Sequence, residues 1–433
     1  MDGENPVPFT DAALHPEVRQ NGATVAGSDH SFQAARDDFP ILRQQVNGKP
    51  LIWFDNAATT QKPRAVLETL HRFYQESNSN VHRGAHTLAG KATQAYESAR
   101  DKLQKMIGAA RSEEIIFVRG TTEAINLVAQ TYGLQHLGKG DEVLVSTMEH
   151  HSNIVPWQLI CERAGAVLHS IPITTQGEVV LGEYEKLLSR RARIVAITHV
   201  SNVLGTVNPI RTMIEMAHRY GARVVVDGAQ SVPHFPVDVR ELDADFYAFS
   251  GHKMYGPTGI GVLYGKKALL EEMPPWQGGG NMIKTVTFEG TTFDSLPAKF
   301  EAGTGNIADA VGLGAAADYL GRIGMDRIAE HEGRLTAYAM DRLGRIPGLR
   351  LIGTAPHKTS VISFLHQGMA YEDLARYLDQ EGIAVRSGHH CAQPLMQHFR
   401  LPGTVRASLG LYNTKAEIDT LTEAILKISK THS

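Results

Sequence analysis

At 433 residues the chain is too long for one ordinary hydrophobic core, and two domains are expected. A hydrophobic share of 42%, a charged share of 21% and a net charge of -3 suit a soluble globular protein, with no basic footprint for nucleic acid and no polybasic arm for a membrane. No apolar run nears the roughly 20 residues of a membrane span, and two cysteines, Cys161 and Cys391, exclude a disulfide framework and suit a reducing cytosol.

The first 30 or so residues are rich in Gly, Pro, Asn and Asp and lack a basic start with an apolar stretch. They read as a disordered extension, not a secretory signal. The middle of the chain repeats one pattern of β-branched run, polar break and helical stretch. The runs are EEIIFV (113–118), DEVLVST (141–147), ARIVAITHV (192–200), ARVVVD (222–227), DFYAFS (245–250) and GIGVLYG (259–265). Near-continuous apolar strands at this spacing predict an α/β fold with a mainly parallel sheet covered on both faces.

Past about residue 310 the texture changes to a long helical region broken by Gly. Short strands follow in SVISFL (360–365), GIAVRS (382–387) and TVRASLGL (404–411). Thr414 and Glu417 predict a capping box at the start of the last helix, whose Ile418, Leu421, Ile425 and Ile428 share one face. Residues 51–310 are expected to form a large domain. Residues 31–50 and 311–433 are expected to form a smaller one.

In open α/β sheets ligands bind beyond the carboxyl ends of the strands. There the sequence delivers Gly120-Thr121-Thr122 opening a helix, a ready phosphate cradle. It also delivers His150, Asn202, Asp227 followed by Gln230, and Ser250-Gly251-His252-Lys253. Singly each has a plain structural reading, as a cap, a turn former or a solvated charge. Together they make the set that pyridoxal 5'-phosphate (PLP) needs: a lysine for its Schiff base, a carboxylate for its ring nitrogen, a phosphate site and a flat group over the ring.

The stretches DGAQS, SGHKMYGPTGIGVLYG, FEAGT and RSGHHCAQPLM resemble the class V aminotransferase superfamily of fold-type I PLP enzymes, and within it the group II, SufS-type cysteine desulfurases. The likeness runs from about Phe39 to the C-terminus. It implies a seven-stranded, mainly parallel sheet in the large domain and a smaller α+β domain carrying the cysteine loop. It also implies that Lys253 bears the cofactor, Asp227 pairs its pyridine nitrogen, Gln230 reaches its phenolic oxygen and His150 stacks on its ring. Thr121, Thr122, Ser250 and His252 would hold the phosphate, joined by Thr304 from the other subunit of a homodimer. Asn202 and Arg406 would bind the substrate carboxylate, and Asn56, Ala57, His82 and Arg83 would lie near the pocket. Cys391 would accept sulfur from L-cysteine, leaving L-alanine, and pass it to a SufE- or SufU-type acceptor for iron–sulfur cluster assembly in the cytoplasm.

The chain departs from the family pattern in its long N-terminal extension, in Gly305 where Pro is frequent, and in Ser387 where Thr is commoner. The residues leave open which group deprotonates Cys391, and whether the enzyme is instead a selenocysteine lyase or a cysteine sulfinate desulfinase. A zinc enzyme built on His150, His151, His389, His390 and Cys391 is a remote alternative, because no paired-ligand spacing supports it. A non-catalytic PLP-binding regulator would need a DNA-binding module, for which the acidic N-terminal stretch is poorly suited. Cys161, on a helical pattern, reads as a core residue.

Overall fold

The computed structural model describes residues 32 and 34–431; the expected N-terminal extension lies outside them. Seven strands form the central sheet: β1 (Ile115–Val118), β2 (Glu142–Ser146), β3 (Val167–Ile171), β4 (Ala192–Thr198), β5 (Arg223–Asp227), β6 (Phe246–Ser250) and β7 (Gly261–Gly265). Their spatial order is β1-β7-β6-β5-β4-β2-β3. Strands β6, β5, β4, β2 and β3 pair in parallel, while β7 runs antiparallel to both β1 and β6. All strands but β7 therefore end at the same rim.

Side chains alternate across a strand, and here both faces meet apolar cover. Ile194 and Ala196 of β4 enter one core with Val225 and Leu263, whereas Val195 and Ile197 enter the other with Val224 and Val226. The six sequence runs account for six strands. The seventh, β3, is an edge strand in which only Ile171 is buried, so its apolar pattern is thin. Cys161 sits in the second core on the helix Val155–Ala164, and burial pushes its thiol up to about 11, as expected of a core residue.

Helix α1 (Thr121–Val128) starts directly after β1 and its turn. The helical region past residue 306 is two helices, α2 (Ile307–Ile323) and α3 (Met325–Gly344), parted at Gly324, whose φ of 94° is one that L side chains rarely adopt. A four-stranded antiparallel sheet follows: β8 (Leu349–Ile352), β9 (Val361–His366), β10 (Arg386–Gly388) and β11 (Thr404–Ser408), in the order β8-β9-β11-β10. The single strand expected over 382–387 divides instead. Ile383–Ala384 pairs with Ile52–Trp53, and Arg386–Gly388 turns onto β11. This sheet shares a third core with the last helices.

Helix α4 (Gln393–Phe399) follows the cysteine loop, and α5 (Lys415–Thr431) closes the chain. The capping box forms as the spacing predicts. Thr414 N–H donates to Glu417 Oε2 at 2.9 Å, and Glu417 N–H donates to Thr414 Oγ1 at 3.3 Å. Ile418, Leu421, Ile425 and Ile428 are all buried. No helix among the described residues is long and apolar enough to cross a membrane.

Candidate active site

A cavity of about 210 Å³ opens at the strand rim. Thr121 and Thr122 reach it after β1, His150 and Ser152 after β2, and Asn202 after β4. Asp227, Ala229 and Gln230 reach it at the end of β5, and Ser250, His252 and Lys253 at the end of β6. Arg386 and Arg406 enter from the second sheet, and Ala57 and Ala58 from the N-terminal side.

One end is a cradle of small donors. Thr121 N–H donates to Ser250 Oγ at 2.9 Å, and the two hydroxyls stand 2.8 Å apart. Gly120 lies so close that a Cβ there would come within 3.1 Å of Ser250 Oγ. Backbone N–H groups at a helix start, flanked by hydroxyls, are suited to an anion. Nearby, Lys62 Nζ donates to the His252 carbonyl at 3.0 Å. Burial, then the charges of Lys253 and Lys62, push the His252 imidazole down to about 4, so it is neutral at neutral pH.

The middle of the cavity sets an amine against a carboxylate. Burial pushes Lys253 down to about 8; Asp227 opposes this, while Arg406 and Arg386 add to it. A partly neutral amine is what addition to an aldehyde requires. Burial raises the Asp227 carboxyl above its usual range, against the Ala229 N–H, 2.9 Å from Oδ1, and the Lys253 charge. Among the described residues that N–H is its only hydrogen-bond donor, which leaves acceptor capacity facing the cavity. His150 Nδ1 accepts from Ser152 N–H at 3.1 Å, so the neutral ring carries its hydrogen on Nε2. Burial and then Lys253 push this imidazole down to about 3. Gln230 Nε2 donates to Ala57 O at 2.7 Å, leaving its second amide hydrogen available. Amine, free carboxylate acceptor, flat neutral ring and anion cradle fit a phosphorylated pyridine aldehyde.

The far wall is cationic. Arg406 is fully buried: Nη1 donates to Asn202 O at 2.9 Å and Nη2 to Asp55 Oδ1 at 3.0 Å, while Nε has no partner. An orphaned guanidinium N–H beside a cavity is a place for a carboxylate. Burial lowers Arg406 to about 10, still charged at neutral pH. Cys391 is half-buried, with Arg386 Nη2 at 3.9 Å from its sulfur. Cys391 does not itself line the cavity; it joins it through Arg386, which does.

A family model described as Aminotransferase class-V matches residues 52–421. The chain belongs to that family. A cysteine desulfurase of Synechococcus elongatus is 56% identical over 94% of this chain, which spans 65% of that relative's length. A probable cysteine desulfurase of Halalkalibacterium halodurans is 54% identical, over 90% of this chain and 96% of its own. Among solved structures, the Escherichia coli cysteine desulfurase CsdA matches with a TM-score of 0.86 at 41% identity, covering 93% of this chain and 99% of that one.

As a member of the Aminotransferase class-V family, the chain gathers most of the residues expected from its sequence, but not all. Asn56 is buried behind Ala57, with Nδ2 on Ser408 O at 2.7 Å. His82 and Arg83 are exposed, His82 against Glu97 and Arg83 near Ile283 O. Thr304 is also exposed and does not line this chain's cavity. The histidines of the zinc reading have other partners: His390 Nε2 meets Thr404 Oγ1 at 2.9 Å, and His151 Nε2 accepts from Gln393 N–H at 3.0 Å. Among the described residues no three metal-capable side chains gather as ligands. Sequence reasoning missed Arg386 and Asp55. Arg386 stands inside the stretch RSGHHCAQPLM, five residues before Cys391, and Asp55 directly precedes Asn56, so a charge beside a residue already singled out was the available signal.

Proposed function

We propose that the chain is a PLP-dependent cysteine desulfurase that converts L-cysteine to L-alanine and receives the sulfur as a persulfide on Cys391. The observation that carries this reading is the meeting of Lys253, Asp227 and Arg386 around one cavity, with Cys391 Sγ 3.9 Å from the Arg386 guanidinium. Identities of 50–57% to cysteine desulfurases support it.

When bound, the cofactor supplies a ring that accepts the negative charge left on an amino-acid α-carbon. Lys253 Nζ would hold the cofactor's aldehyde carbon and would be the base placed to take the α-proton of substrate. Asp227 would keep a proton on the ring nitrogen, Gln230 would donate to the phenolic oxygen, and His150 would pack on the ring. Thr121, Thr122, Ser250 and His252 hold the phosphate. Arg406 and Asn202 orient the substrate carboxylate. Cys391 Sγ, as thiolate beside Arg386, attacks the substrate sulfur. An S–S bond forms as the substrate's Cβ–S bond breaks, the electron pair stays with the carbon skeleton, and two protonations yield alanine. Cysteine and thiol thus become alanine and persulfide with no external oxidant.

In this reading residues 51–310 form the cofactor-holding domain, and 31–50 with 311–433 carry the cysteine loop. A homodimer accounts for His82, Arg83 and Thr304 outside this chain's cavity, and for the exposed Val286, Phe288 and Phe293 on or between the strands Ile283–Val286 and Thr291–Phe293. A SufE- or SufU-type protein would take the persulfide sulfur for iron–sulfur cluster assembly, in a cytoplasm reducing enough to keep Cys391 a thiol. L-Selenocysteine is a further candidate substrate, as is cysteine sulfinate.

The test uses purified, cofactor-loaded protein. It should be yellow, release alanine from L-cysteine and carry persulfide on Cys391. Cys391→Ala should stay yellow and release no alanine from L-cysteine; retained cleavage of L-selenocysteine by that variant would identify the lyase activity. Full cysteine turnover by Cys391→Ala would overturn the reading.

A further inference from the structure

Cys391 sits on a loop that its own sequence does not hold. His390 and Cys391 both adopt the left-handed backbone conformation, with φ of 52° and 57°. This conformation costs free energy for residues with a side chain and persists only where surroundings enforce it. Helix α4, which begins two residues later, has Ala392 at its N-cap, a residue with no side-chain acceptor. Both deficits are met by one residue from the opposite side of the cavity. His151 N–H donates to Cys391 O at 2.7 Å, and His151 Nε2 accepts from Gln393 N–H, the first N–H of α4, at 3.0 Å. Asn202 Nδ2 adds a bond to His390 O at 2.9 Å. Within the loop, Cys391 N–H turns back to His389 Nδ1 at 3.1 Å.

We propose that His151 is a positioning residue that caps α4 across the cavity and thereby holds Cys391 in the left-handed conformation from which its sulfur faces substrate. The imidazole acts here as an acceptor, with its hydrogen on Nδ1. It does not itself line the cavity, so its effect on the sulfur passes through the loop. The backbone half of the clamp survives any side-chain change, and the imidazole half does not. Removing the acceptor leaves Gln393 N–H without its partner and the strained pair held by fewer bonds. The inference deepens the desulfurase reading and rests on it for the step that is positioned.

His151→Ala and His151→Gln in the full-length holoenzyme test it, since Gln Oε1 can replace the Nε2 acceptor. In His151→Ala, amide hydrogen exchange at Gln393 should quicken about five- to tenfold, the loss of a typical cap. Persulfide formation on Cys391 should slow by about tenfold. The cofactor's colour change on adding L-cysteine, which precedes the thiol's attack, should keep its rate and its concentration dependence. His151→Gln should return both exchange and persulfide formation toward the parent values. Unchanged Gln393 exchange in His151→Ala, or unchanged persulfide formation there, would overturn the proposal. So would a loss in His151→Gln as large as in His151→Ala. If the parent enzyme forms no persulfide from L-cysteine, the desulfurase reading fails, while Gln393 exchange still reports whether His151 holds the loop.

Discussion

Arg386 Nη2, from a residue that lines the cavity, stands 3.9 Å from Cys391 Sγ. Thiolate, not thiol, is the nucleophile, and a cation at this range is placed to stabilise charge as the sulfur attacks. Arg386→Leu removes that cation and is expected to slow persulfide formation about tenfold, a loss of order 1.4 kcal/mol in the attacking step. Arg386→Lys should retain part of the rate. Single-turnover labelling of the persulfide measures both, and a parent-like rate in Arg386→Leu would separate the cation from the sulfur chemistry.

Asp227→Asn tests the opposite wall. The amide keeps the shape and can still accept from Ala229 N–H, but it is neutral and cannot hold a positive charge on a ring nitrogen. The variant should bind the cofactor and turn yellow, yet release alanine from L-cysteine at least about a hundredfold more slowly, since the ring accepts charge poorly when its nitrogen is unprotonated. Alanine release within about threefold of the parent would show that the carboxylate's charge is dispensable.

Much of this arrangement was legible in the sequence because parallel strands announce themselves. Buried on both faces, β2, β4, β5 and β6 read as apolar runs, and the residue after each run falls at the ligand rim without further information. The capping box of α5 is as local as a signal can be. Strand β3 escaped because an edge strand needs few apolar residues, and His169 and Ser170 dilute its pattern. The cross-cavity contacts escaped for a different reason. Arg386 on Cys391, Asp55 on Arg406 and His151 on Gln393 join residues from distant parts of the chain, and no spacing rule connects them. Asn202 illustrates the limit. Its position at the end of β4 was evident, but the bond from its Nδ2 to His390 O, 188 residues away, was not.

The pH response of cofactor capture follows from Lys253. Its folded-state value of about 8 lies below the ordinary 10.5, so the neutral, reactive amine accumulates as pH rises through 8 rather than through 10. At pH 7 about a tenth of it is neutral. Cofactor-free protein should therefore capture added PLP faster as pH rises from 6, half-maximally near 8, and level off above about 9. Arg386 contributes to the depression, so Arg386→Leu should move the midpoint upward. His150 and His252, at about 3 and 4, stay neutral throughout and contribute no limb in this range. A rate still climbing steeply at pH 10 would mean that burial does not depress Lys253.

The stability of the cavity's flank depends on a buried ion pair. Arg100, 1% exposed, places Nη1 and Nη2 at 2.7 and 2.9 Å from the two oxygens of Glu301, itself 7% exposed. Glu301 also accepts from Phe117 N–H of β1 at 2.8 Å and Tyr96 OH at 3.1 Å. The pairing holds Arg100 well above its ordinary range against the cost of burial. Glu301→Ala would leave Arg100 only the part-exposed Glu97, 2.9 Å from Nε, as ion partner and would orphan a strand N–H, a loss of about 3–5 kcal/mol, seen as a fall in Tm of roughly 5–10 °C. The pair itself is a weaker asset than that figure suggests, because much of the loss is the cost of the stranded charge. Arg100→Met with Glu301→Leu removes both charges and should recover a large part of the Tm. A double variant as unstable as Glu301→Ala would locate the stability in the pair's attraction and its hydrogen bonds to Ile115 O and Phe117 N–H, not in relief of desolvation.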